Sequence, residues 1–271
     1  METVKALTIA GSDSGGGAGI QADIKTFQEL KVYGMSAITA VTAQNTLGVQ
    51  GVFPITLKGI QQQLASIAED LSPQAVKTGM LFNSDVIQLV AESIKLYQWG
   101  NLVVDPVMVA KGGSPLLQEE AVEALRKQLI PLSTVVTPNI PEAEVITGMQ
   151  IDSMKKRKEA AEAILNLGAA SVVIKGGHDE TETASDLFYD GTRFSLYSGP
   201  RIRTKNTHGT GCTFSAAITA ELSKGKSLAD SIQTAKGFIQ AAIEQDLHIG
   251  EGHGPTNHWA YNSKEVAALD A

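Results

Sequence analysis

The chain has 271 residues, 43% of them hydrophobic, enough to bury a large core, and one α/β domain over 1–271 can absorb the whole length. A net charge of -7 gives no global attraction for nucleic acid or anionic membranes, so any phosphate binding has to come from local geometry. The single cysteine, Cys212, excludes an intrachain disulfide and a cysteine-cluster metal centre, and no apolar run approaches the roughly 18 residues of a membrane span.

The apolar run Ala6–Ala10 is too short for a signal-peptide core, and the sequence predicts a cytoplasmic protein. Short β-branched runs alternate with amphipathic ones along the chain. Strands are expected at Lys5–Ala10, Ser36–Ala43, Ala75–Gly79, Leu102–Val107, Ser133–Pro138 and Ser171–Gly177. Helices are expected at Gly19–Leu30, Leu57–Asp70, Ser84–Gln98, Glu119–Gln128 and Met154–Leu167. Near-continuous apolar strands separated by helices predict a mainly parallel sheet covered on both faces. The stretch around Asp190-Gly191 reads as a hairpin, and two helices, Thr213–Ser223 and Leu228–Gln245, close the chain. No linker, low-complexity segment or internal repeat is visible.

Two glycine-rich turns lead into helices. The first, Gly11-Ser-Asp-Ser-Gly-Gly-Gly-Ala18-Gly19, follows the first strand. It lacks the Gly-Lys-Ser/Thr of a Walker loop, and Ile20 stands where the third glycine of G-x-G-x-x-G belongs, which speaks against a dinucleotide-dependent dehydrogenase. It reads either as a plain strand-to-helix turn or as a loop that lets backbone approach a ligand. Asp23, one turn into the helix, reads either as a charge that suits the helix dipole or as a ligand. The second turn, His208-Gly209-Thr210-Gly211-Cys212, is the sharper signal. Successive N–H groups at such a turn form an anion nest able to hold charge on a transferring phosphoryl group. Cys212 at the helix start is expected to have a lowered thiol pKa and to take or orient a hydroxyl proton; by itself it also fits a small buried packing residue.

Other chemistry-bearing residues stand at strand ends. Asp105 ends the hydrocarbon run Leu102–Val104, at the rim where open α/β sheets bind ligands. Asn139 and Glu142 follow the next strand, either as an N-cap with an acidic first turn or as ligands for Mg²⁺, which takes oxygen donors. Lys175 and Lys236 are each either solvated charges or phosphate partners. Gln44 offers a donor and an acceptor together, either as an exposed turn residue or as a ligand-reading amide. Thr42 shares its face if the strand period holds, unless it is there only for strand propensity, and Met80 and Val107 are apolar residues that either sandwich a flat ring or, above all for Val107, simply pack the core.

The blocks Ala10–Asp23, Asp105–Gly113, Thr137–Glu144 and His208–Ala216 resemble the signatures of the hydroxymethylpyrimidine kinases, of the ribokinase superfamily, and the resemblance runs from about Lys5 to Trp259. It implies a ribokinase-like three-layer α/β/α sandwich and an ATP- and Mg²⁺-dependent kinase. Its substrate would be 4-amino-5-hydroxymethyl-2-methylpyrimidine and then the monophosphate, yielding the diphosphate for thiamin synthesis. By the same resemblance Gly209, Thr210 and Gly211 form the anion hole, and Cys212 replaces the aspartate base of most relatives. Asp105 and Glu142 belong to the metal group; Asn139, Lys175, His208 and Lys236 line the nucleotide. Gly11, Ala18, Gln44, Thr42, Met80 and Val107 face the pyrimidine, and Asp23 meets its hydroxymethyl group. A homodimer is implied, with a flap at Ala110-Lys111-Gly112-Gly113. Bacterial pyridoxal kinases of the same branch carry similar blocks; Gln44 and the lack of a second cysteine at Ala110 speak against that alternative. A second rival, a ligand-binding protein that kept the fold and lost turnover, is opposed by the intact Asp105, Glu142 and Gly209–Cys212.

Overall fold

The structure is a computed structural model and describes residues 3–108, 119–177 and 182–263. Among these, nine strands form one sheet in the order β3-β2-β1-β4-β5-β6-β7-β8-β9. The strands are β1 (Lys5–Asp13), β2 (Tyr33–Asn45), β3 (Gly48–Pro54), β4 (Ala75–Thr78), β5 (Leu102–Val104), β6 (Val135–Val136), β7 (Val172–Ile174), β8 (Thr183–Tyr189) and β9 (Phe194–Pro200). β1, β2 and β4–β7 run parallel; β3 returns antiparallel on β2, and β8 and β9 pair antiparallel beside β7.

Successive side chains of a strand leave opposite faces, and the core divides accordingly. Leu7, Val76, Leu102, Val104 and Ile174 pack under α2 (Leu57–Asp70), α3 (Ser84–Leu96), α4 (Glu119–Ala124), α5 (Ile140–Thr147) and α6 (Met154–Asn166). Ala6, Ala75, Val103 and Val173 pack under α1 (Gly19–Glu29), α7 (Thr210–Ser223) and α8 (Leu228–Glu244). This is the expected three-layer α/β/α sandwich.

Several boundaries differ from expectation, each for a local reason. β1 and β2 run longer than expected, because their ladder continues to Asp13 and Thr42 past a bulge between Ala10 and Ser12. β5 stops at Val104, which leaves Asp105 just beyond the strand end. The expected helix over 119–128 is α-helical only to Ala124; it then widens into a π turn at Leu125–Leu129 and tightens at Ile130–Leu132 around Pro131. β3 is an edge strand that was not among the expected elements; pairing with β2 decides its conformation, despite its two glycines and Pro54. α5 was also not expected as an element. Asn139 and Glu142 close a reciprocal capping box at its start, the bland reading of that pair.

Candidate active site

The carboxyl ends of the parallel strands and the start of α7 enclose a cavity of about 680 Å³. It runs along the sheet rim from β2 and β3 to the β8–β9 hairpin and α8. Such a crevice is where open α/β sheets bind ligands. Of the site residues singled out in the sequence, all except Asp23 line it. The flap expected at 110–113 lies outside the described residues.

The turn before α7 is built for close approach. Gly209 has φ +83°, and a Cβ there would stand 1.8 Å from the Gly17 carbonyl oxygen, so glycine is required and the two glycine-rich turns touch through backbone. Thr213 N–H donates to the Gly209 carbonyl at 2.8 Å, which starts the helical ladder. Gly211 and Cys212 stand in the first turn, where N–H groups have no intrahelical acceptor.

Cys212 departs from expectation. Burial pushes its thiol up to about 12, Asp23 and Asp105 add to that, and Lys77 with the Gly19 N–H opposes it. Desolvation outweighs the helix dipole, so the resting group is a thiol and not the thiolate that helix position alone implied.

Asp105 accepts from Lys175 Nζ at 3.1 Å and from Ser215 Oγ at 3.1 Å. Burial alone would raise its pKa, but Lys175 and Lys77 hold it below the ordinary carboxylate value. Burial pushes Glu142 up to about 7, Asp105 adds to this, and Lys175 opposes it. Among the described residues no group of three His, Cys, Asp or Glu side chains gathers as a metal site. Two carboxylates beside one lysine still fit Mg²⁺, a hard cation that needs only one or two of them when phosphates and water complete its shell.

A scan of family models matches residues 13–257 to phosphomethylpyrimidine kinase. The chain belongs to the phosphomethylpyrimidine kinase family. It is 58% identical to a hydroxymethylpyrimidine/phosphomethylpyrimidine kinase of Bacillus subtilis over 98% of both chains. A solved ADP complex of a Bacillus subtilis pyridoxal kinase superposes with a TM-score of 0.91 at 48% identity, covering 96% of this chain and 99% of that one. A phosphomethylpyrimidine kinase from Clostridium difficile gives 0.80 at 46% identity, covering 89% and 100%. The chain is thus a phosphotransferase. Among the described residues no helix is long and apolar enough to cross a membrane.

Within this kinase-family cavity three of the expected side chains have partners that the sequence did not show. Asp23 is fully buried behind the wall and does not line the cavity; its Oδ2 accepts from Thr8 Oγ1 at 2.6 Å and from Lys77 Nζ at 3.0 Å. His208, expected at the nucleotide, lies against Asp13 Oδ2 at 2.8 Å and near Gln44, on the substrate side. Lys236 lines the far end, but its ammonium is engaged by Asp186 Oδ2 at 2.7 Å and the Ala184 carbonyl at 2.8 Å, so it orders the hairpin edge more than it offers free charge.

Lys77 is the residue the sequence reading missed. It is fully buried in β4 yet lines the cavity, and against the cost of burial the carboxylates of Asp23 and Asp105 hold it protonated. The signal was present: one lysine inside the apolar run Ala75-Val-Lys-Thr78 points, by strand alternation, towards α1 and α7. Asp13, at the start of the first glycine-rich turn, accepts N–H bonds from Gly15, Gly17 and Ala18 and so holds the turn in shape.

Glu142 supplies a pH-dependent test. A folded-state pKa of about 7 against 4.5 unfolded means the folded chain binds the extra proton between those values. Its favourable contribution is complete below 4.5 and is lost as pH rises through 7. The loss is up to about 3 kcal/mol. Metal-free Glu142→Gln is therefore expected to raise the urea midpoint at pH 8 while leaving the pH 4.5 value nearly unchanged; Gln can still accept from the Asn139 N–H. The same pH slope in both proteins would remove Glu142 as its source.

Proposed function

We propose that this kinase transfers the γ-phosphoryl group of ATP to the hydroxymethyl oxygen of 4-amino-5-hydroxymethyl-2-methylpyrimidine, and then phosphorylates the monophosphate to the diphosphate. One juxtaposition carries the reading: Gln44, an amide suited to an aminopyrimidine edge, opens on the same cavity as the Gly209–Cys212 turn and the Lys175–Asp105 pair. Such transfers rest on positioning and charge stabilisation more than on covalent chemistry.

Gln44 and Thr42 would hold the ring edge, with Gly11 and Ala18 forming the backbone floor and Met80 and Val107 the apolar walls. The Cys212 thiol would orient the substrate hydroxyl, whose proton would leave to an oxygen of the transferred phosphoryl group as the new P–O bond forms and the bond to the ADP oxygen breaks. First-turn N–H groups of α7 would hold the migrating group, with Lys175 beside them. Asp105 and Glu142 would hold Mg²⁺, which when bound neutralises phosphate charge and holds the phosphates in line. Asn139 and Lys236 would flank the nucleotide, against the apolar side chains of Ile202, Ile239 and Ile243. A single domain acting as a cytoplasmic homodimer completes the proposal.

Pyridoxal phosphorylation is the second reading, favoured by the overlap with the pyridoxal kinase. A coupled ADP-release assay on the pyrimidine alcohol, its monophosphate and pyridoxal decides between them. We expect the highest kcat/KM on the two pyrimidines; pyridoxal in first place would overturn the assignment. Gln44→Met should raise KM for the pyrimidine by roughly 10- to 100-fold through a lost bidentate hydrogen-bond edge, and change KM for pyridoxal far less. Equal effects on both would remove the amide from substrate reading.

A further inference from the structure

Two contacts of the Gln44 side chain conflict as they stand. Its amide nitrogen lies 3.3 Å from His208 Nε2, which must then be a lone-pair acceptor. Yet that same Nε2 stands 2.8 Å from Asp13 Oδ2, so two acceptors would face each other in a buried place. At the other end the Thr42 hydroxyl has one hydrogen and two acceptors in reach, the Ser12 carbonyl at 2.9 Å and the Gln44 amide oxygen at 3.1 Å.

Turning the amide by half a revolution resolves both conflicts. His208 Nε2–H then donates mainly to Asp13 and weakly to the Gln44 oxygen. The Gln44 amino group donates to Thr42 Oγ1, and Thr42 donates to Ser12. Amide oxygen and nitrogen are told apart by the network around them, and only this orientation leaves every hydrogen assigned once. Asp13 is a secure acceptor, because burial, which would raise it, is outweighed by His208 and the Gly15 and Ala18 N–H groups.

We infer that His208, anchored by Asp13, is a positioning residue that locks the Gln44 amide with its oxygen towards the imidazole and its amino group towards Thr42, and so fixes the order of donor and acceptor offered to the substrate ring. A free amide turns over to suit either order. A locked one accepts a ring nitrogen with a neighbouring amino group and rejects the lactam edge, where N–H and C=O exchange places. This rests on the pyrimidine reading above and adds a source for its selectivity: the residue preceding the anion turn controls the substrate amide.

The test is calorimetric binding of two probes without a transferable hydroxyl, 2,5-dimethylpyrimidin-4-amine and 2,5-dimethylpyrimidin-4(3H)-one. The wild-type protein should prefer the amine by at least about 100-fold, since each reversed polar contact leaves buried groups unpaired. His208→Leu, which has no donor, should cut that ratio by roughly tenfold or more. His208→Gln reaches a donor nitrogen to where Nε2 stood and should keep the ratio within about threefold. Thr42→Val is nearly isosteric, removes the other end of the lock, and should lower the ratio as His208→Leu does; it decides the matter if His208→Leu fails to fold. A wild-type ratio in both Thr42→Val and folded His208→Leu overturns the lock while leaving the substrate reading intact. A wild-type protein that binds pyridoxal and neither pyrimidine overturns the substrate reading, and the lock with it.

Discussion

Cys212→Ala is expected to lower turnover by roughly 10²-fold, the loss that follows when a reacting group is no longer held in place. Nucleotide affinity should change little, because in the proposed mechanism the turn from Gly209 to Gly211 binds through main-chain N–H groups that the substitution leaves in place. Coupled ADP release and calorimetry with a nucleotide separate the two effects. The state of the thiol sharpens the expectation. With its pKa pushed up to about 12, the group is un-ionised across pH 6–9, and no limb of the pH–rate profile should belong to it. Cys212→Ser, which keeps an O–H in place of the S–H, should therefore retain more activity than Cys212→Ala. Unchanged turnover in Cys212→Ala, or a pH limb near neutrality that disappears in Cys212→Ser, would contradict this account.

Lys77→Met should be the most destabilising single change in the cavity wall. Lys77 and Asp23 are both fully buried and 3.0 Å apart, so removing the ammonium strands a carboxylate with Thr8 as its remaining partner. Breaking a buried pair from one side costs about 3–5 kcal/mol, a large share of the ~5–15 kcal/mol that holds a domain together. Asp23→Asn combined with Lys77→Met should recover more than half of the loss, because the stranded charge is gone while Thr8 keeps an acceptor. Urea midpoints at constant slope measure both proteins. A loss below about 1 kcal/mol in Lys77→Met, or a double variant no better than the single one, would show that the pair does not carry the wall.

The architecture was legible because it follows from local chemistry. Alternation of apolar strands with amphipathic helices over most of the chain yields a parallel sheet with two covered faces, whatever the sequence details. The glycine-rich turns at 11–19 and 208–211 were legible for a related reason: few residues other than glycine tolerate the approach that the Gly209–Gly17 contact demands. β3 and α5 were not legible to the same degree. β3 is a strand only because β2 offers it a ladder, and α5 is short enough that its capping box had to stand for the whole helix.

The sequence by itself determined the sandwich, the two glycine-rich turns and a core set of cavity residues around Gln44, Asp105, Glu142, Lys175 and Gly209–Cys212, since these depend on residue type and spacing along the chain. Tertiary structure alone decided that Asp23 turns inward to Lys77, that His208 turns to Asp13 and Gln44, and that the Cys212 thiol is held protonated. Those outcomes depend on which charges and how much water surround a group after residues distant in sequence are brought together, as Asp13 and His208 are. Desolvation and pair interactions of that kind scale with distance in space, which one-dimensional order does not encode.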